Sequence, residues 1–328
     1  MSISYRLFQW SDLPSLAEMW NLAEAADGGH NTVTLEDMEQ YWRADNVDPE
    51  TTAFVALSDD VPIAYARTRP ITDLMLHRAR GTGRVHPNFR RLGIGTRLVE
   101  LVDAQFVERS QMLVDPAKPL SVQRLALRTN TGDVALLKAT GHTHLRSFFE
   151  MEKDLSSSDA LSLPLRPEGL ELRPFDVERD ALTVYEAQGE AFLDHFNSFG
   201  DESFESWRKY MVDYPHFDPA LWLLLWDGDQ LAAASLNNIP ARYNYQVGYV
   251  DSLFVRRSWR KRGVATALLR ESFALFATRG LKKAALGVDA QNRSGALKIY
   301  EQVGLHITLE NMLFIRYLRG KPEDDPMG

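Results

Sequence analysis

Two short segments of the 328-residue chain have the residue types and spacing to hold an oxyanion. The first reads Gly83-Arg84-Val85-His-Pro-Asn-Phe-Arg90-Arg91-Leu-Gly93-Ile94-Gly95-Thr96. The second reads Leu253-Phe254-Val255-Arg-Arg-Ser-Trp-Arg260-Lys261-Arg262-Gly263-Val264-Ala265-Thr266. Both follow Arg-x-x-Gly-x-Gly/Ala between an apolar strand and an apolar helix. A helix start leaves backbone N–H groups unpaired and carries partial positive charge. Glycine and alanine let a phosphate approach those groups, and the arginines and lysine add charge. One such turn alone would be an ordinary strand-to-helix connection. Two copies in matching places point to pyrophosphate binding. The three-glycine dinucleotide fingerprint and its ribose-binding acid are missing.

The elements that must position these turns occur twice. Each half opens on a short strand, Tyr5 to Trp10 and Leu170 to Phe175. A helix start with aspartate follows, at Asp12 and at Asp176 to Asp180. An amphipathic helix around Trp42 is echoed around Trp207. Hairpins follow, with turns at Ser58 to Asp60 and Asp227 to Asp229, where acidic residues and glycine separate apolar runs. The turn and its helix come next, then a strand, a helix and a closing hairpin. This order predicts an α/β fold with a mixed sheet in each of two tandem domains. The expected boundaries are 1–154, a linker over 155–169 with serines and prolines, 170–318, and a disordered polar tail over 319–328.

Composition narrows the function. Net charge is −8 and the isoelectric point about 5.6, which argues against a nucleic-acid binder and suits a cationic substrate. Cysteine is absent, so disulfides, cysteine nucleophiles and thiolate metal sites are excluded. No apolar run is long enough for a membrane span, and Met1 to Trp10 does not read as a signal peptide, so a cytoplasmic protein without membrane contact is expected. Histidines 77, 86, 142, 144 and 306 show no metal-site spacing, so no metal is expected. No nucleophile elbow supports serine catalysis. Trp222 and Trp226 alternate with leucines as core residues do.

The paired turns and their element order resemble motif A of the GNAT N-acetyltransferase superfamily, in which this turn binds the pyrophosphate of CoA. The two-copy layout is similar to that of the mycothiol synthases, a tandem branch of the superfamily. The resemblance implies an acetyl-CoA-dependent N-acyltransferase acting on a small-molecule amine, as a monomer or homodimer. It also implies that the backbone of Leu253, Phe254 and Val255, and of Gly83, Arg84 and Val85, pairs with the pantetheine arm. Asp251 stands where family members carry a general base. Asn292, Ala296, Tyr300 and Gly304 resemble motif B, where the asparagine contacts pantetheine and the tyrosine serves the departing thiolate.

The first half departs from this pattern. Leu137 stands at the place of Tyr300, Gly81 at that of Asp251, and Asn130 is one residue out of register with Asn292. The second half is therefore expected to be catalytic and the first not. A non-enzymatic acyl-CoA-binding regulator and a structural tandem are the rival readings. Phe192 to Glu202, which mixes aromatics, acids and His195, is a candidate frame for the acceptor.

Overall fold

The computed structural model describes all residues except 1, 30–31, 45–46, 72–76, 162–166, 194–202, 215–216, 241–245, 293–294 and 322–328. The chain divides into two compact units, residues 1–147 with 309–328, and residues 148–308. No helix among the described residues is long and apolar enough to cross a membrane.

In unit 1 the strands are β1 (Ile3–Leu7), β2 (Ala53–Ser58), β3 (Val61–Pro70), β4 (Arg78–Val85) and β5 (Leu120–Leu127). They lie in that order, and the C-terminal part of β12 (His306–Arg319) pairs antiparallel with β5. β4 and β5 are the parallel pair, so the sheet is mixed as the element order predicts. Helices α1 (Leu13–Asp27) and α2 (Leu35–Ala44) cover one face, burying Leu16, Met19, Met38 and Trp42 against Val55 and Tyr65. Helix α3 (Ile94–Leu113) covers the other through Ile94, Leu98 and Val102. Helix α4 (Thr131–Ala139) follows β5, and β6 (Thr143–Asp154) closes the first half of the sequence.

Unit 2 repeats this plan. The order is β6, β11 (Lys283–Asp289), β10 (Val247–Val255), β9 (Gln230–Asn238), β8 (Leu223–Asp227) and β7 (Glu171–Pro174), with β10 and β11 parallel. Helices α6 (Val177–Phe192) and α7 (Phe204–Met211) bury Val184 and Trp207 with Trp222, Leu236 and Phe254. Helix α8 (Val264–Thr278) packs Leu269, Phe273 and Phe276 on the opposite face, with α9 (Ala296–Gln302) beyond β11. Phe276 lies so close to β10 that a Cβ on Gly248 would sit 2.2 Å from its ring, which explains glycine there.

The units do not follow the sequence boundaries. Residues Phe148–Asp154 pair with β11, and Asn311–Arg319 pair with β5, so each unit takes its last strand from the other half of the sequence. The two closing hairpins expected from sequence are instead these single long strands, because turn residues are lacking between Thr143 and Asp154. Part of the expected linker is also structured. Residues 157–161 form helix α5 (Ser157–Leu161), packed on α8 and tied down by Lys153 Nζ donating to Asp159 at 2.6 Å. The expected tail begins inside β12, since Arg319 is still paired, and 322–328 lie outside the described residues.

Candidate active site

The two Gly-rich turns have one conformation. Arg90 and Arg260 are extended, with φ −72° and −67° and ψ 159° in both. Arg91 and Lys261 are left-handed at φ 65° and 61°. Gly93 and Gly263 are left-handed at 78° and 77° and open α3 and α8. No side chain caps either helix. The first ladder bonds run from Arg97 N–H to the Gly93 carbonyl and from Ala267 N–H to the Gly263 carbonyl, at 3.1 and 3.0 Å. The amides of Ile94, Gly95 and Thr96, and of Val264, Ala265 and Thr266, therefore have no ladder acceptor. Among the described residues, chain neighbours aside, a Cβ on either glycine at these amide mouths would meet nothing within 4 Å. An oxyanion bound there would meet N–H donors and the positive helix end together. The side chains of Arg91, Lys261 and Arg262 are exposed around these mouths.

Arg90 and Arg260 serve the protein first. Arg260 donates through Nε to the Val255 carbonyl at 3.0 Å and through Nη2 to the Ala191 carbonyl at 3.0 Å. Arg90 reaches the Val85 carbonyl at 3.3 Å and grips Asp27 with both terminal nitrogens, at 2.7 and 3.1 Å. Each brace fastens the last turn of α1 or α6 to the strand that enters the turn.

That strand parts from its neighbour in both units. The pairing of β10 with β11 ends at Val250 opposite Leu286, and that of β4 with β5 at Gly81 opposite Arg124. Beyond these points Leu253, Phe254 and Val255 pair only with β9, and Gly83 to Val85 only with β3. One backbone edge of each strand is left open, where an extended ligand can add as a further strand.

The units differ at the parting point. In unit 2 the register with β9 slips between Val250 and Ser252, which makes Asp251 the extra residue of a β-bulge. A bulge re-aims the side chain it carries. Asp251 is exposed, and its carboxylate accepts from Asn238 Nδ2. The Asn238 Oδ1 is buried with no hydrogen-bond partner among the described residues. Burial, with help from the charges of Asp251 and Asp218, pushes the Tyr214 phenol up to about 12. The neighbouring Ser252 is held from below: Trp207 Nε1 donates to Gln188 Oε1 at 2.7 Å, and Gln188 Nε2 donates to Ser252 Oγ at 2.9 Å. Tyr300, on α9, packs on the cluster that contains Val250, Leu286 and Val288, the residues flanking the parting point. Burial pushes its phenol up to about 12, so it keeps its proton at neutral pH. Asn292 follows β11, its backbone N–H bonded to the Asp289 carbonyl at 3.0 Å.

In unit 1 the register of β3 with β4 is unbroken through Gly81. The space that an acid would fill there holds Arg124, whose Nε lies 2.6 Å from a Cβ built on Gly81. Arg124 is itself committed to Asp103 at 2.5 Å and to His142 Nε2 at 2.6 Å. Leu137 is buried against Ala126 and Phe314. Asn130 caps α4, accepting from the Asp133 N–H at 3.0 Å. A cleft of about 550 Å³ nevertheless remains beside the turn, bounded by Arg91, Gly93, Thr96, Asn130 and Asp133.

Sequence reasoning missed Asn238, Tyr214, the Trp207–Gln188–Ser252 chain and Arg124. None has motif spacing, and only the packing of α6, α7 and the strands brings them into place. Of the segment Phe192 to Glu202, residues 194–202 lie outside the described residues.

Two amide mouths, two parted strands and a repeated fold define an acetyltransferase of GNAT type. The model of the acetyltransferase (GNAT) family matches residues 16–119 and again 182–305, and the chain belongs to that family, whose members use acetyl-CoA. Among its relatives is the mycothiol acetyltransferase of Thermomonospora curvata, 28% identical over 297 residues and covering 89% of this chain and 90% of that one. The mycothiol acetyltransferase of Streptomyces scabiei is 29% identical over 238 residues, 71% of this chain and 69% of the other. A GCN5-related N-acetyltransferase from Sphaerobacter thermophilus superposes with a TM-score of 0.80 at 28% identity, over 98% of this chain and 97% of that one. A tandem GNAT protein from the clavulanic acid biosynthesis pathway shares the fold, with a TM-score of 0.71 at 14% identity over 98% and 100% of the two chains. The chain is thus an N-acetyltransferase enzyme.

Proposed function

We propose that unit 2 transfers the acetyl group of acetyl-CoA directly to the amine of a small acceptor, while unit 1 does not turn over. The observation that carries this reading is the contrast at the parting point: a bulged, exposed Asp251 in unit 2 against Gly81 filled by Arg124 in unit 1. The pyrophosphate of CoA lies at the amide mouth of residues 263–266, and the pantetheine arm pairs with the open edge of Leu253 to Val255, near Asn292. An amine arrives protonated. Asp251 takes that proton, directly or through water, so that the nitrogen lone pair can attack the thioester carbonyl. Backbone N–H groups stabilise the developing oxyanion. Collapse of the intermediate breaks the C–S bond, the Tyr300 hydroxyl supplies a proton to the departing thiolate, and the extra proton on the new amide nitrogen leaves through water to restore the Tyr300 hydroxyl. Holding both reactants in one cleft makes the attack effectively intramolecular.

The names of the relatives make a mycothiol-type acceptor the first to assay. The test of the chemistry is Tyr300→Phe, which removes one hydroxyl and keeps the ring packing. Turnover should fall about 10²- to 10⁴-fold, the usual worth of a general acid, with acetyl-CoA affinity unchanged. Unaltered turnover under rate-limiting chemistry would make Tyr300 a core residue only.

A further inference from the structure

The face of the unit 1 sheet beneath α1 and α2 carries arginines where unit 2 carries uncharged side chains. By pairing with the neighbouring strand, Arg84 (opposite Tyr65) takes the place of Phe254 (opposite Ala234), and Arg80 (opposite Arg69) that of Tyr249 (opposite Asn238). Across the hairpins, Arg67 (opposite Thr82) takes the place of Leu236 (opposite Ser252). Phe254 and Leu236 are buried in unit 2, so the fold itself asks for no cation at the places of Arg84 and Arg67. Arg69 and Arg80 stand directly opposite one another on β3 and β4, an arrangement that repels when nothing lies between the charges.

Tyr41 gathers this cluster. Its hydroxyl accepts from Arg69 Nη2 at 2.9 Å, and the guanidiniums of Arg69 and Arg67 lie 5.5 and 5.9 Å from its ring centroid. Arg67 is buried and stacks 4.6 Å over Trp42. Arg84 has its own acid, Glu24, at 3.0 Å. Arg80 has no such partner among the described residues. Its Nε is shut off from water without an acceptor. The groups that act on its charge are Arg69 and the Tyr41 phenol, and burial first, then Arg69, pulls its pKa below the usual arginine value. A shielded N–H without an acceptor costs free energy, and the rigid fork of guanidinium donors matches the oxygens of a carboxylate or phosphate.

We propose that Arg80, flanked by Arg69, Arg67 and the Tyr41 hydroxyl, forms a binding site on unit 1 for the oxyanion of a small ligand. The site sits near the start of β4, whereas the amide mouth at Gly93 follows the other end of that strand. It gives the non-catalytic unit a ligand of its own, whether or not CoA occupies the mouth.

The test uses the full chain saturated with CoA, so that the amide mouths do not compete. Inorganic phosphate is titrated calorimetrically in one arm and malonate in another, at constant ionic strength against chloride. Saturable binding in at least one arm is expected, and that arm identifies the anion as phosphate or carboxylate. In Arg80→Gln the affinity should fall about tenfold or more, the worth of one charge-assisted hydrogen bond. In chloride alone, Arg80→Leu, which removes the charge facing Arg69, should melt no lower than the parent chain and lose its stabilisation by the anion. Absence of saturable binding in both arms would overturn the proposal. So would unchanged affinity in Arg80→Gln, and so would a markedly lower melting temperature of Arg80→Leu in chloride, which marks a purely structural arginine.

Discussion

Gly263→Glu separates backbone strain from charge at the amide mouth. Gly263 holds φ 77°, a conformation that costs an L-residue about 1–2 kcal/mol. Chain neighbours aside, no atom of the described residues lies within 4 Å of a Cβ placed there, so no clash adds to this strain. Gly263→Ala therefore carries the strain alone and should melt a few degrees lower while binding CoA nearly as the parent does. Glutamate adds a negative charge at the place proposed for the pyrophosphate. A unit charge about 4 Å from an oxyanion costs about 4 kcal/mol at the effective dielectric of a protein surface, or roughly a thousandfold in Kd. The assay is calorimetric titration of CoA into each variant, folding checked by circular dichroism, with sites per chain read beside affinity. Gly93→Glu runs in parallel, because the same turn occurs in unit 1. Unchanged site number and affinity in Gly263→Glu would refute the placement. Equal losses in Gly263→Ala and Gly263→Glu would show that strain, not charge, was at work.

Other outcomes follow from the packing. In Gly248→Ala the new methyl would press on the Phe276 ring inside a closed core, and overpacking of this kind costs about 1–3 kcal/mol in urea unfolding; stability within error of the parent would show that the helix yields freely. Burial first, then the charges of Arg124 and Arg316, pull the His142 imidazole down to about 3, from 6.5 when unperturbed. The unfolded chain then takes up that proton first, so stability should decline as pH falls from 6.5 towards 3. His142→Gln should flatten this acid limb in urea midpoints measured between those values, and parallel slopes would contradict it.

The sequence made the repeat, the paired turns and the mixed sheet legible because each rests on local chemistry. Trp42 and Trp207 are both buried, as the echo between the halves suggests, and the hairpin turns fall at Asp59-Asp60 and Gly228-Asp229. The exchange of last strands was not legible. The segments Phe148–Asp154 and Asn311–Arg319 read equally well as strands of either unit, and their partners β11 and β5 lie more than a hundred residues away in the sequence. The bulge at Asp251 was hidden for a similar reason, since it is a property of register with β9 and not of residue type. Arg90 and Arg260 illustrate a third case. Their charge suggested a ligand, whereas Asp27 and the Ala191 carbonyl, which hold them, lie more than sixty residues upstream.

The most direct test of where chemistry occurs is thiol release from acetyl-CoA with the best acceptor from an amine panel. It is measured in Asp251→Asn/Tyr300→Phe and, separately, in Gly93→Glu. The proposed division of labour predicts that the double substitution leaves little turnover, while Gly93→Glu spares the chemical step. Turnover surviving the double substitution but lost in a folded Gly93→Glu chain would place the reaction in unit 1 and contradict it.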